Sequence, residues 1–157
     1  MTIAKTVETH LIDRGISYDV ITHSSTGSSS ETAQSAHVSG DRIAKGVVVK
    51  DSGGYLLAVV PGEHYLDVKS LGEQLSRDLQ MADESELGNL FTDCEEGAVP
   101  ALGIAYGLTT LVDESLLRQP ELYFEAGDHE SLIHVKEADF EVLMEGAEFG
   151  AFSHHRL

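Results

Sequence analysis

The sequence predicts a single α/β (α+β) domain, residues 1–157, in which helices surround a mixed β-sheet. Two valine-rich apolar runs at 47–49 and 55–60 flank the turn Asp51–Gly54, a pattern typical of a β-hairpin buried on both faces. Other short strands alternate with amphipathic helices but without a strict βαβ rhythm, which favours a mixed sheet. With 157 residues and a mean hydropathy of -0.10, the chain has the size and polarity of one globular domain.

The elements before the hairpin are predicted from helical periodicity and turn residues. A first helix is indicated by apolar residues on one face and a glycine at its end, namely Ile3, Val7, Leu11, Ile12 and Gly15. Tyr18–Thr22 then predicts a strand. Ser30 is placed to cap a second helix at the end of the polar loop His23–Ser30.

The elements after the hairpin are predicted by the same signals. Asp67 and Asp83 are expected to cap two helices. Apolar residues expected on the inner faces of these helices are Val68, Leu71, Leu75 and Leu79, and then Leu87, Leu90 and Phe91. The remaining predicted elements are strands at Thr109–Val112, Glu121–Phe124 and Leu132–Val135, a turn at Ala126–His129 and a helix at Ala138–Met144. The tail from Ser153 onwards is predicted to be loose.

Composition bounds the partners and the compartment. A net charge of -17 argues against broad adhesion to nucleic acid, which depends on Lys and Arg neutralising phosphates. Half of the ten basic residues lie between Arg42 and Arg77, so one modest basic patch on an acidic body is predicted. The lone Cys94 excludes an internal disulfide and fits a reducing compartment. Without a membrane span or a secretory signal, the expected location is cytoplasmic and no membrane partner is expected.

Most familiar catalytic motifs are absent. The eight histidines show no spacing typical of metal ligands, so no metal site is predicted. Cys94 lies between acidic residues that would raise its pKa, which argues against a cysteine nucleophile. Neither a Gly-x-Ser-x-Gly nucleophile turn nor a phosphate loop ending in Gly-Lys-Ser/Thr occurs.

Several features remain as candidates, each with a structural alternative. Lys45 lies at the mouth of the first hairpin strand, where it could hold its ammonium over a pocket or lie in solvent. The segment Gly97–Gly103 has glycines at both ends and Pro100 between them, so it could bind a polar group through its backbone or form an ordinary turn. Asp113 could be a site carboxylate or a helix N-cap, and His129 is similarly ambiguous.

Five stretches, taken in order, resemble the YbaK/ProX family. They span roughly His23 to Met144 and are Asp41–Val49, Leu57–Pro61, Asp93–Gly103, Val112–Asp113 and Glu125–His129. Members of that family are free-standing relatives of the editing domain of bacterial prolyl-tRNA synthetases. The resemblance implies a partly barrel-like sheet and hydrolysis of the ester between a wrong, small amino acid and the 3′ end of tRNA. It implies no cofactor, and its partners would be the acceptor end of tRNA and an aminoacyl-tRNA synthetase that delivers it.

The resemblance also implies residue roles. Lys45 and Gly97 would be catalytic: the lysine would hold the terminal phosphate or the polar end of the substrate. Gly97 would position the ester and its attacking water in the same hollow. The positions implied to bind substrate are Ser28, Ser29, Arg42, Ala98, Val99, Pro100, Gly103, Asp113, Gly127 and His129.

Two other functions stay open at this point. A non-catalytic module could use the same pocket to bind a nucleotide or a small acidic ligand. The net charge of -17 favours that alternative, as does Ala101, which stands where the family often has proline. A metallohydrolase that uses some of the histidines comes third.

Overall fold

The computed structural model describes residues 3–24 and 29–156, apart from the side chains of Ser29 and Ser30. The helices in these ranges are α1 (Lys5–Asp13), α2 (Ser29–Ala36), α3 (Val68–Leu75), α4 (Glu84–Leu90) and α5 (Glu137–Leu143). The strands are β1 (Asp19–Thr22), β2 (Ala44–Asp51), β3 (Gly54–Pro61), β4 (His64–Leu66), β5 (Gln80–Met81), β6 (Thr109–Asp113), β7 (Glu121–Glu125), β8 (Ser131–Lys136), β9 (Glu148–Gly150) and β10 (Ser153–His155). Short 3₁₀ helices are Gly40–Arg42, Gly103–Tyr106 and Glu114–Arg118. None of the described helices is long and apolar enough to cross a membrane.

The predicted hairpin, β2–β3, forms the centre of a five-stranded sheet with the order β5-β2-β3-β6-β9. Strands β2 and β3 pair antiparallel from Ala44↔Pro61 to Asp51↔Gly54. Beyond β3, strands β6 and β9 are added in parallel orientation. The sheet is therefore mixed, which confirms the predicted fold class.

A second sheet, β1-β8-β7, is antiparallel, and β4 pairs with β10 in a separate two-stranded ribbon. One isolated bridge, Ile43↔Tyr123, joins the start of β2 to β7. The ladders of the described residues do not continue beyond this bridge, so they do not close into a barrel. The barrel-like feature expected from the resemblance is limited to this link between otherwise separate sheets.

The two faces of the five-stranded sheet bury different apolar clusters. Ala44 and Val48 of β2 face the larger cluster, to which α1 and α5 also contribute. Val49 faces a smaller cluster that is closed by Leu71 of α3 and by Phe152. The central strands are therefore covered on both sides, as their continuous apolar runs predict.

Local signals placed three helix ends correctly. Asp67 caps α3 by accepting the backbone N–H of Ser70 at 3.0 Å. Asp83 and Glu86 form a reciprocal capping box at the start of α4. Gly15 follows α1 with φ +66, a left-handed conformation that favours glycine.

Other details differ from the prediction. Ile12 is 64 % exposed instead of lying on the buried face of α1. Helix α3 ends before Leu79 because Ser76 adopts a left-handed conformation with φ +55. Ser30 lies inside α2 and does not cap it, since the helix begins at Ser29. The tail is not loose, because Ser153–His155 pairs with β4 and satisfies its backbone groups there.

Candidate active site

The segment Gly97–Gly103 lies mostly inside the protein. Within it Ala98, Pro100, Ala101 and Gly103 are buried, and Val99 is half-buried. A Cβ added at Gly103 would lie 2.3 Å from Oγ1 of Thr110, so packing requires glycine at this position. Of the positions predicted to touch substrate in this segment, Gly97 is the exposed one.

Gly97 and His129 form an exposed contact at the start of this segment. Gly97 has φ +81, and a Cβ placed there would lie 3.4 Å from Cε1 and 3.5 Å from Nε2 of His129. His129 Nε2 donates to the carbonyl oxygen of Glu96, which leaves Nδ1 as the ring's acceptor. No acceptor for the Gly97 amide is found among the described residues. This amide donor and the imidazole acceptor can together orient a carbonyl group and a water molecule.

The turn between β7 and β8 holds His129 in place. His129 itself has φ +62, and Gly127 has φ +102. The Asp128 carboxylate accepts the backbone N–H of Ser131 at 2.8 Å and its hydroxyl at 2.9 Å. A Cβ at Gly127 would lie 2.9 Å from Cβ of Ala4, so this glycine permits α1 to approach the turn. Gly127 is buried, so it contributes to the backbone of the turn and presents no exposed surface.

Two ionisable residues beside His129 were missed in the sequence. Glu125 accepts the backbone N–H of His129 at 3.1 Å. Burial raises the pKa of Glu125, while the charges of His23 and His129 oppose that rise. His23 is 6 % exposed, and its Nδ1 donates to the carbonyl oxygen of Ser24 at 2.7 Å. Its buried Nε2 is therefore an acceptor, and it has no partner among the described residues. His23 follows β1 and Glu125 ends β7, and these strands are far apart in the chain. The only signal in the sequence was therefore a polar residue at the end of each strand.

A cavity of about 350 Å³ opens beside Gly97, between α4 and the chain that leads into the segment. Its apolar wall includes Leu87, Phe91 and Val99. Its carboxylates are Glu84, Glu95 and Glu96. Apolar walls next to acidic groups suit a small ligand that carries a positive charge on an apolar body.

Lys45 is half-buried at the end of the sheet. Its ammonium donates to the carbonyl oxygen of Gly62 at 3.3 Å, just beyond the last residue pair of the hairpin. Burial lowers the pKa of Lys45, the charge of Arg156 lowers it further, and the carboxylate of Glu63 opposes the change. The ammonium therefore lies over the strand end rather than in bulk solvent.

Lys45 and the glycine-bearing segment leave the sheet on opposite faces. A Cβ at Gly46 would lie 3.3 Å from the carbonyl oxygen of Pro100 and 3.3 Å from Cγ1 of Val99, so the segment covers the face of Gly46. Successive side chains of a strand point to opposite faces, which puts Lys45 on the other side. The prediction that one hollow holds both groups is therefore wrong, because the two groups lie on opposite sides of β2.

Asp113 is a capping residue. It is 3 % exposed, and its Oδ1 accepts the backbone N–H of Ser115 at 3.0 Å and the Ser115 hydroxyl at 2.6 Å. Its Oδ2 accepts the backbone N–H of Phe152 at 3.1 Å and the Ser153 hydroxyl at 2.7 Å. These bonds keep the pKa of Asp113 low although burial opposes them. With four donors already bound, this carboxylate ties β6 to the C-terminal chain.

The other predicted positions lie elsewhere or outside the described residues. Arg42 pairs with Glu121 at 3.0 Å, so its charge is already partnered. Ser28 and the side chain of Ser29 are outside the described part of the chain.

Metal and thiol chemistry find little support in the described residues. Across 3–24 and 29–156, no group of three or more His, Cys, Asp or Glu side chains is arranged to hold a metal ion. Burial raises the pKa of the Cys94 thiol to about 11, so the thiol stays protonated near neutral pH.

The comparisons with known proteins identify the family. The model of the aminoacyl-tRNA editing domain family matches residues 23–143, most of the chain. The chain belongs to the aminoacyl-tRNA editing domain family. Membership of this family supports an editing role for the chain, and the resemblance expected from the sequence is confirmed.

Solved structures show the same fold along nearly the whole chain. One is described provisionally as a trans-editing enzyme for prolyl tRNA synthetase; it is 26 % identical, with a TM-score of 0.83 and 96 % of each chain covered. Another, from computational grafting of epitope backbones onto scaffold proteins, is 26 % identical with a TM-score of 0.84, covering 96 % of this chain and 97 % of that one. A hypothetical protein at 24 % identity and a TM-score of 0.84 covers 96 % of this chain and 100 % of its own. No curated protein matches the editing domain.

Proposed function

We propose that this editing domain is a deacylase that acts in trans on mischarged aminoacyl-tRNA. A water oxygen bonds to the carbonyl carbon of the ester, the bond from that carbon to the ribose oxygen breaks, and the ribose oxygen takes a proton. The products are a free amino acid and a tRNA with its terminal hydroxyl restored. Family membership supports this proposal, and the observation that carries it is the exposed contact between Gly97 and the His129 ring.

Gly97 and His129 would act on the two ends of the reacting bond. The Gly97 N–H would donate to the ester carbonyl oxygen, where negative charge grows as water attacks. His129 Nδ1, the acceptor left by the bond to Glu96, would orient the water or a ribose hydroxyl. A site of this kind needs no protein nucleophile, which agrees with the protonated state of Cys94.

His23 and Glu125 would support His129 from beneath. Glu125 fixes the His129 backbone by its 3.1 Å bond, and its partly buried carboxyl group lies near the imidazoles of His23 and His129. Nε2 of His23, which has no partner in the described part of the chain, would offer a buried acceptor to a water molecule in the same cluster. These residues would position the ring and hold a proton without touching the ester.

Lys45 would bind the tRNA backbone. Its ammonium lies beyond the last pair of the hairpin, so a nucleotide could pass around the end of β2 and place its phosphate on one side and its ester on the other. A phosphate would also compensate the burial that lowers the pKa of Lys45. In an acidic protein, such a contact at a single strand requires few cations.

The cavity beside Gly97 would receive the aminoacyl group. The carboxylates of Glu95 and Glu96 suit the α-ammonium of an amino acid, and the apolar wall suits a small side chain. A second, hydrolytic sieve for small residues is useful because a synthetase pocket separates such side chains by only about 1–3 kcal/mol per methylene.

A panel of mischarged tRNAs carrying small amino acids tests the proposal. Purified protein should release amino acid from at least one of them in multiple turnovers at low salt, and a chelator should leave the rate unchanged. No turnover of any tRNA in the panel would remove the proposal.

One observation favours the non-catalytic alternative. Lys45 and Arg156 lie at the end of the sheet away from the Gly97 face, so an anion could bind there without reaching the ester-handling groups. Saturable nucleotide binding with no ester hydrolysis would select this alternative.

A further inference from the structure

The C-terminal chain brings a second cation to Lys45. Strand β10 pairs with β4, and the next residue, Arg156, donates its backbone N–H to the carbonyl oxygen of Glu63 at 2.9 Å. The ammonium of Lys45 donates to the carbonyl oxygen of the preceding residue, Gly62. Adjacent residues of one turn therefore hold the two cationic residues next to each other.

These two cations differ from most others in the protein. Five of the ten basic residues pair with a carboxylate at 2.5–3.8 Å, namely Lys5, Arg14, Arg42, Lys50 and Arg77. Neither Lys45 nor Arg156 has such an ion pair in the part of the chain that the structure describes, and Arg156 is exposed. Two like charges held close together repel each other, and a bound anion relieves that repulsion.

The groups around the pair include three acids and two imidazoles. Glu63 is the nearest acid whose charge acts on Lys45. Asp41 is 3.5 Å from Nε2 of His155, and His64 Nδ1 lies 2.9 Å from the Ser153 hydroxyl. The neighbouring acid Asp113 is already bound by four donors.

We propose that Lys45 and Arg156 jointly bind a phosphodiester of the unpaired 3′ strand of tRNA. The identity of the ligand rests on the proposed editing function, whereas the pair itself rests on the placement of β10. Two cations on one phosphodiester give charge-assisted hydrogen bonds and a preferred direction for the strand. Arg156 lies beyond residues 23–143, so the family motifs do not supply it.

The test is the binding of an uncharged, single-stranded RNA that ends in cytidine-cytidine-adenosine, followed by fluorescence anisotropy over a range of salt. Arg156→Gln should weaken binding about tenfold at low salt, as expected for loss of a charged hydrogen bond, and should lower the salt slope by about 0.7. Arg156→Lys should keep most of the affinity. The matched control is Arg118→Gln, which removes the same charge from an exposed arginine outside the pair and should bind as wild type does.

Several outcomes would overturn the inference. One is the absence of RNA binding by the wild-type protein, and another is equal affinities and salt slopes for Arg156→Gln and Arg118→Gln. A third is displacement of the RNA by inorganic phosphate at an equal concentration of phosphate groups. Because the RNA carries no amino acid, the result is separate from deacylation. Arg156-dependent binding without turnover of mischarged tRNA would retain the cation pair and remove the proposed activity. Turnover of mischarged tRNA without Arg156-dependent binding would retain the activity and remove the cation pair.

Discussion

The two faces of β2 at Lys45 and Gly46 differ in what covers them. On the Gly46 face, the buried segment at Val99 and Pro100 packs against the strand and leads to the exposed Gly97. On the Lys45 face, a half-buried ammonium lies at the strand end, and no carboxylate among the described residues is bound to it. Under the proposed function, this difference would let one strand separate a site for neutral, ester-like groups from a site for an anion.

The two ends of the same hairpin differ as well. At the far end, Lys50 pairs with Glu86 at 2.6 Å, and Arg77 pairs with Asp51 at 2.5 Å. At the near end, Lys45 has a carbonyl as its partner. The two ion pairs tie the far end of the hairpin to its neighbours, whereas under the proposed function Lys45 at the near end binds the ligand.

The largest effect should come from Gly97→Ala. The added Cβ meets the His129 ring at 3.4 Å, and φ +81 strains any residue other than glycine, so the amide and the ring should lose their alignment. We expect deacylation to fall about a hundredfold or more, as for removal of one oxyanion donor. The measurement is single-turnover release of amino acid.

Gly107→Ala is the matched control for Gly97→Ala. Gly107 has a similar conformation, φ +73, but a Cβ there would meet no atom within 4 Å. It should carry the same backbone strain and keep the wild-type rate per folded molecule. Equal losses in both variants would show that strain, and not the contact with His129, explains the effect.

Next in size is Lys45→Met, which keeps the apolar stem and removes the charge. We expect deacylation of tRNA to fall roughly thirtyfold, about 2 kcal/mol, because a charged hydrogen bond to phosphate is lost. Stability should be equal or higher, since a lowered lysine pKa means that the folded state disfavours the charged form. Lys69→Met, on the exposed side of α3, should change neither quantity.

Asp113→Asn should lower the free energy of unfolding without changing the rate of deacylation. The new amide group would face donors where the carboxylate now accepts four hydrogen bonds, so about 2 kcal/mol of unfolding free energy should be lost. Denaturant unfolding measures the loss, and the rate per folded molecule should stay at the wild-type value. A normal stability with a lost rate would instead return Asp113 to the site.

The smallest expected effect is a change in stability at acidic pH. Arg77 lowers the pKa of Asp51 from 3.8 to about 2, so the stabilisation from this pair is present above pH 4 and is lost as the pH falls towards 2. Asp51→Asn should therefore unfold at a lower temperature than wild type at neutral pH, and the gap should close between pH 4 and 2. A gap that stays constant over this range would show that the pair does not titrate there.

The sequence predicted those parts of the fold that local signals specify. The apolar runs gave the hairpin, and side chains a few residues away gave the caps at Asp67 and Asp83. The strands β9 and β10 were missed because they are three residues long and pair with distant parts of the chain, such as Ser153 with Leu66. Strands that short carry no usable periodicity of their own.

The sequence motifs named candidate site residues but could not give the geometry between them. The motifs selected Lys45, Gly97 and His129, but which face of the sheet the Val99–Pro100 chain covers depends on long-range packing. Burial decided the role of Gly103 in the same way, since only the fold brings Thr110 against it.

The most direct test of the account compares two substrates that carry the same amino acid. One is mischarged tRNA, and the other is aminoacyl-adenosine, which keeps the ester but has no phosphate. If the Gly97 side handles the ester and the Lys45 side handles the phosphate, Gly97→Ala should slow both substrates, whereas Lys45→Met should slow the tRNA alone. An equal loss for Lys45→Met on both substrates would contradict the division of the site between the two faces of β2.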